Sequence, residues 1–277
     1  MRLILVSLLI SINLSFAVIY GEDNRIDYVH MANDTQNLAN SSVAIIPKNK
    51  LKLIGDYFYA QAKSVGEVLK LCESEPFIHQ PQLANCSGVL VGDDKVLTAA
   101  HCIDKKSIHR TQNDYYIVFG YVKNQEGIVK AFHKSQVFTL KKELYYNFDP
   151  TFKDPVDLAI YQLDRASGRS PVKINYNIDK NESLFVLGYP MGIPLKFADD
   201  AEILSFSNKS FRHHLDTFSV NSGSPLFNAH NELIGIHVRG TGLNSDRTSD
   251  NCNIWGRGDS SKDYGEANTL KVIKNIL

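Results

Sequence analysis

The sequence predicts an all-β protein, a barrel or sandwich of short strands. Short apolar runs recur at 88–97, 115–122, 128–140, 158–163, 183–188, 201–207 and 232–238. Each is bounded by Gly, Asn, Asp or Pro, the residues that end strands and make turns. Little of the intervening chain has helical period, and no internal repeat or low-complexity stretch points to another architecture.

Taken in order, Met1-Arg2 and the apolar run 3–17 have the positive start and short hydrophobic core of a signal peptide, with small Ser15 and Ala17 before the cut. The run is shorter than the ~20 residues of a spanning helix, and Glu22-Asp23 follow it. Residues 1–17 are therefore expected to be removed, giving a secreted or periplasmic protein. Residues 18–53 are polar and mixed, with a first strand at Val43-Ala44-Ile45-Ile46. Apolar Ala62, Val65, Val68, Leu69 and Leu71 predict a short helix over 61–71. The tail 268–277 reads as a helix capped by Asn268, with Leu270, Ile273, Ile276 and Leu277 along one face.

The 277 residues carry 30 Lys and Arg against 30 Asp and Glu. This zero sum argues against nonspecific binding to nucleic acid or membrane surfaces, which favour a basic excess. Lys105-Lys106 and Lys141-Lys142 read as solvated pairs. Cys72, Cys86, Cys102 and Cys252 form an even set that favours disulfides in an exported chain, with three pairings open. None of their spacings is that of a zinc site, and adjacent His213-His214 on a strand would face opposite ways.

Three fragments carry the chemistry. In Val220-Asn221-Ser222-Gly223-Ser224-Pro225 a serine sits on a tight turn, where its hydroxyl can project while backbone N–H groups converge. Leu97-Thr98-Ala99-Ala100-His101-Cys102 offers a histidine at the end of a strand. Asp157-Leu158-Ala159-Ile160 offers a carboxylate at a strand mouth, where the apolar run that buries it makes it a better candidate than Asp154 beside Pro155. A nucleophile, a base and a group that orients the base are what serine-based acyl transfer needs. Ser222, His101 and Asp157 are the candidates.

These motifs resemble those of chymotrypsin-fold (trypsin-like) serine peptidases, most closely the bacterial glutamyl endopeptidase branch, from about Cys86 to Gly240. Thr-Ala-Ala-His-Cys, Asp-Leu-Ala-Ile, Asn-Ser-Gly-Ser-Pro and Ile-Gly-Ile-His carry the likeness. It implies two six-stranded antiparallel β-barrels with the site in the cleft between them. Residues 18–71 would then be an N-terminal arm joining the barrels, and 72–277 the peptidase domain, ending in the short C-terminal helix. It also implies a Cys86–Cys102 disulfide, which leaves Cys72 with Cys252, and no metal or organic cofactor. The expected partner is a protein or peptide substrate, the expected state a monomer, and the expected activity that of a secreted serine endopeptidase.

The resemblance assigns the oxyanion donors to the N–H groups of Ser222 and Val220. The family has glycine where this chain has Val220, and a β-branched residue resists positive φ. The Val220 amide is therefore expected to turn away, and Val220→Gly to raise turnover. A catalytically inert, protease-like binding protein is the alternative that Val220 raises, and an esterase on the same scaffold is another. Thr217 and His237 match family residues that bind an acidic side chain. Val18-Ile19-Tyr20-Gly21-Glu22-Asp23-Asn24-Arg25 is similar to the start of the mature family enzymes, whose free amine lies near the pocket. Asp216, however, falls where trypsin-like enzymes hold a carboxylate for Lys or Arg, so the sequence leaves the P1 preference open between acidic and basic.

Overall fold

The computed structural model describes residues 18–103, 111–151 and 153–277. The expected signal segment and the Lys105-Lys106 pair lie outside the described residues. Two antiparallel sheets dominate. In the first, the neighbours run Val137–Phe138, Tyr115–Phe119, Ser42–Pro47, Cys86–Gly92, Lys95–Thr98, Asp157–Leu163 and Leu140–Phe148. Its two edge strands are separated only by Thr139, so the sheet curls into a half-barrel. In the second, Lys196–Phe206, Ser183–Gly188, Pro225–Asn228, Leu233–Gly240, Gly265–Thr269 and Ser210–His213 form a ring, closed by pairing of the last strand with the first. The double barrel expected from the resemblance is thus realised as one closed barrel and one curled half-barrel.

Several runs are divided differently from the sequence reading. The 88–97 run is a hairpin, Cys86–Gly92 with Lys95–Thr98, that turns at the Asp93-Asp94 pair. The 128–140 run is broken into Ala131–His133, a 3-10 turn Lys134–Gln136 and Val137–Phe138, because Gln136 and the His133 ring close a capping box that turns the chain. The helix predicted over 61–71 is only Val65–Leu69. Ser64 and Glu67 cap its start reciprocally, and Lys70 ends it in the left-handed region at φ +54°.

The tail is a correction. Gly265–Thr269 is a strand, followed by a 3-10 turn Leu270–Ile273 whose N-cap, Thr269, makes no side-chain cap bond. Asn268 does not cap; it pairs with Ile236 and Ser210 across the sheet. Tertiary pairing outweighs the helical period here, as it does wherever a strand completes a barrel.

One hydrophobic core fills the half-barrel and continues through Leu187, Tyr189, Phe227, Ile236 and Val238 of the second barrel. Tyr121 and Tyr189 stack across the junction with ring centroids 5.8 Å apart. Burial of this shared apolar surface, favourable by roughly 25 cal/mol per Å², fixes how the barrels face each other and hence the geometry between them. The N-terminal segment spans both: Ile26–Asp27 pairs with Lys196 and Phe197 in the second sheet, and Ser42–Pro47 is a central strand of the first.

Candidate active site

Register brings His101 to Asp157. Ala159 pairs with Thr98, so Asp157, two residues earlier on the same face, reaches past the end of Lys95–Thr98 to the 3-10 turn Ala100–Ile103. The His101 N–H donates to Asp157 Oδ1 at 2.9 Å, and His101 Nδ1 lies 2.5 Å from Oδ2. An ionised carboxylate accepts only, so Nδ1 carries the proton and Nε2 is left basic. Asp157 is 4 % exposed, and its own N–H donates to Asn268 Oδ1 at 2.7 Å. Asn268 Nδ2 donates in turn to Pro155 O at 2.9 Å, so one side chain fixes the mouth of this strand. No motif flagged Asn268 as a site residue, because its role depends on a strand more than a hundred positions away.

Ser222 is half-buried on a double turn. Asn221 N–H donates to Phe218 O at 3.0 Å and Ser224 N–H to Asn221 O at 2.8 Å. Gly223 follows at φ +87°, where any Cβ would collide with Ser87 O and Thr98 Oγ1, so only glycine fits. The Ser222 carbonyl accepts from Ser87 N–H at 2.8 Å and lies 3.6 Å from Sγ of Cys102, the residue after His101. Cys86 and Cys102 are joined, as are Cys72 and Cys252. The first bridge ties the turn of His101 to the strand that carries Ser87. The ring of His101 is near both sulfurs, but bonded to each other they present no thiolate to a metal.

Val220 corrects an expectation. It lies at φ +77°, a conformation costing a β-branched residue on the order of 1–3 kcal/mol, and it is nonetheless held there. Among the described residues neither the Val220 N–H nor the Ser222 N–H has a hydrogen-bond partner. The loop thus keeps two N–H groups that no described residue occupies.

Asp216 is engaged by the N-terminal arm. It is buried, and its carboxylate accepts from Tyr20 N–H at 2.7 Å and Asn24 N–H at 3.4 Å, so its partners are backbone donors of the arm. Burial raises its pKa to about 6, against the lowering effect of those N–H groups and of Arg25. Val18 is fully buried against Gly242 and Gly258, where a Cβ would strike its methyls. Ile19 exchanges hydrogen bonds with Gly256 O and Gly258 N–H. Arg25 forks onto Asp23 at 2.8 and 2.7 Å and stacks on Phe77, Phe218 and Trp255 at 5.2, 4.5 and 4.6 Å. Beyond it the buried Asp27–Lys196 pair closes at 2.7 Å.

Thr217 is fully buried, and among the described residues its Oγ1 has no partner. His237 is buried too, with Nδ1 3.2 Å from Nε2 of the fully buried His213. His213 Nδ1 accepts from Leu215 N–H at 3.1 Å. A neutral His213 therefore carries its proton on Nε2 and donates it to His237 Nδ1, which leaves His237 Nε2 as an N–H donor. Burial, with His101 and Arg239 nearby, lowers the His237 pKa to about 3, so the ring is neutral. His214 faces the other way and stacks on Tyr20 at 4.6 Å.

Residues 86–236 match the family model of the trypsin-like peptidase domain. A glutamyl endopeptidase of Staphylococcus epidermidis is 28% identical over 175 residues, covering 56% of this chain and 54% of that one. A glutamyl endopeptidase of Staphylococcus aureus (strain MRSA252) is 28% identical over 162 residues, covering 56% and 42%. This chain thus spans about half the length of the curated relatives it matches. Among solved structures, a Glu endopeptidase in complex with MPD superposes with a TM-score of 0.52 at 14% identity, covering 91% of this chain and 93% of that one. The Vibrio cholerae VesB protease gives 0.53 at 16%, covering 91% and 65%. Both are likenesses of fold. With more than half of its length matched by that family model, the chain belongs to the trypsin-like peptidase domain family, near the glutamyl endopeptidases.

Proposed function

We propose that this chain is an exported serine endopeptidase that hydrolyses peptide bonds after acidic residues. The observation that carries the reading is the double hold of Asp157 on His101, through backbone N–H and Nδ1 together, beside the turn of Ser222. Ser222 Oγ attacks the scissile carbonyl and gives its proton to His101 Nε2. The oxyanion of the tetrahedral intermediate accepts from the N–H groups of Val220 and Ser222. As the intermediate collapses, His101 returns the proton to the leaving amine, and the acyl-enzyme is hydrolysed by water through the same steps. Two disulfides support export, and no helix among the described residues is long and apolar enough to cross a membrane.

The acidic preference is supported from three sides. Asp216 already accepts from two backbone N–H groups, so it is not a free counter-ion for Lys or Arg. His237 Nε2–H and the Thr217 hydroxyl, whose Oγ1 has no partner among the described residues, are donors suited to a carboxylate. The matched staphylococcal relatives are glutamyl endopeptidases by name. Signal removal before Val18 would be the maturation step, since Val18 is already seated against Gly242 and Gly258.

The test is digestion of a mixed peptide library by the full exported protein, read by mass spectrometry, alongside Ser222→Ala. Cleavage C-terminal to Glu or Asp, lost in a folded Ser222→Ala protein, is the expected result. Cleavage persisting at the native rate in that variant rules out the assignment of Ser222.

A further inference from the structure

We infer that Ser87 is a positioning residue for the oxyanion loop: its hydroxyl holds the Val220 carbonyl and so keeps a valine in a conformation that valine disfavours. This rests on the serine peptidase reading above and adds a part of the apparatus that no motif marked. Ser87 lies in Cys86–Gly92 of the first sheet, fully buried, yet all its polar groups turn toward the second barrel or the neighbouring strand. Oγ donates to Val220 O at 3.0 Å and accepts from Tyr189 N–H at 3.2 Å. Its N–H donates to Ser222 O at 2.8 Å, and its carbonyl accepts from Thr98 Oγ1 at 2.7 Å. One residue of the first barrel thus grips the carbonyls of both Val220 and Ser222, on either side of Asn221.

The peptide on the other side of Val220 is gripped independently. Met191 N–H donates to Ser219 O at 2.7 Å, and Met191 is itself left-handed at φ +51°. The φ torsion of Val220 joins the 219–220 peptide to its Cα, and the 220–221 peptide follows. With both carbonyls anchored, one from each barrel, the loop cannot relieve Val220 by flipping a peptide. Release of either carbonyl would let φ of Val220 relax toward negative values and re-aim its N–H relative to that of Ser222; loss of a whole oxyanion donor is worth about 10²–10³ in kcat. Glycine needs no such restraint, because positive φ costs it nothing. Ser87 and Met191 are therefore what lets this chain place valine there.

The experiment is a double-mutant cycle on the full exported protein, with kcat and KM on a Glu-containing peptide and fluorophosphonate labelling of each variant. Ser87→Ala is expected to lower kcat by about tenfold or more, toward the loss of a whole oxyanion donor, while KM moves little. In a Val220→Gly background the same substitution is expected to cost at least tenfold less in kcat. Ser87→Cys keeps nearly the same shape with a weak donor and covers an alanine variant that does not fold. It should give an intermediate kcat, again less sensitive in the Val220→Gly background. A folded Ser87 variant with native kcat overturns the inference, as does a loss of equal size in both backgrounds. A native protein that neither cleaves peptides nor reacts with the probe overturns the peptidase reading itself.

Discussion

Tyr20 donates its backbone N–H to Oδ1 of Asp216 at 2.7 Å, so the N-terminal arm closes over a carboxylate that the resemblance aligns with the one trypsin-like enzymes hold for Lys or Arg. The consequence for pH follows from the raised pKa. Burial holds Asp216 at about 6 in the fold, above the 3.8 of an ordinary aspartate. The folded state therefore binds this proton more tightly than the unfolded chain does. The associated stability is fully present below about pH 3.8 and is lost as pH rises through about 6. Urea unfolding of native protein and Asp216→Asn at pH 4 and pH 7 should show native stability falling relative to the variant, by a difference on the order of 2 kcal/mol. A difference independent of pH would remove this account of Asp216.

The arm is also held by a cation. The Arg25 side chain is wholly buried, forked onto Asp23 and stacked on Phe77, Phe218 and Trp255. Arg25→Ala strands the Asp23 carboxylate and empties the cage between three rings. The expected loss is about 3–5 kcal/mol, in the range of a broken buried ion pair, with Arg25→Lys recovering only part because an ammonium neither forks nor stacks as a guanidinium does. Thermal melts of the two variants check this, and a melt of Arg25→Ala unchanged from native would show the cage to be incidental.

Asn268 makes the third prediction. It accepts from Asp157 N–H and donates to Pro155 O, at 2.7 and 2.9 Å. Asn268→Ala leaves a buried N–H without an acceptor, which costs about 1–3 kcal/mol of stability. Because that N–H sets the strand mouth from which the carboxylate reaches His101, kcat should fall by roughly tenfold, about 1.4 kcal/mol, with KM unchanged. Steady-state kinetics on a peptide substrate would tell, and a native kcat in the folded variant would leave Asn268 a structural residue only.

The contrast between Asn268 and Ser222 marks what was legible in the chain. Ser222, His101 and Asp157 stand in short stretches whose local chemistry is distinctive, a tight turn of small residues and two strand ends, so each could be proposed from where it lies. The alternation of apolar runs and turn residues likewise gave most strands. Asn268 was mistaken for a helix cap because an Asn before an apolar period is a good cap in isolation; only the closing strand of the second barrel makes it a partner of Asp157. Ser87 looked like any strand serine, and its importance arises from facing the other barrel. Val220 was read by intrinsic preference, which the anchors at Ser87 and Met191 override. What local patterns omit is long-range hydrogen bonding, and there the sequence reading failed.

The last prediction concerns the two buried histidines. If His237 met an acidic side chain as a cation, selectivity for Glu would rise as pH fell through the ordinary histidine range. The hydrogen bonds oppose this. A cationic His237 would donate from Nδ1 as well as Nε2, so His213 Nε2 would have to accept, and the His213 proton would move to Nδ1. That nitrogen faces Leu215 N–H at 3.1 Å, and two donors would then confront each other. Burial acts in the same direction, holding His237 at about 3 and His213 well below the ordinary histidine range. On the proposed function, His237 would therefore meet substrate as a neutral donor, its charge unchanged between about pH 5.5 and 8. The ratio of kcat/KM for a Glu peptide to that for its Gln counterpart cancels whatever pH dependence of the catalytic step both substrates share. That ratio should stay flat from pH 5.5 to 8 in the native protein and fall at least tenfold at every pH in His237→Ala. A ratio climbing steadily toward pH 5.5 would mean that the ring protonates when substrate binds, with Leu215 N–H displaced from His213.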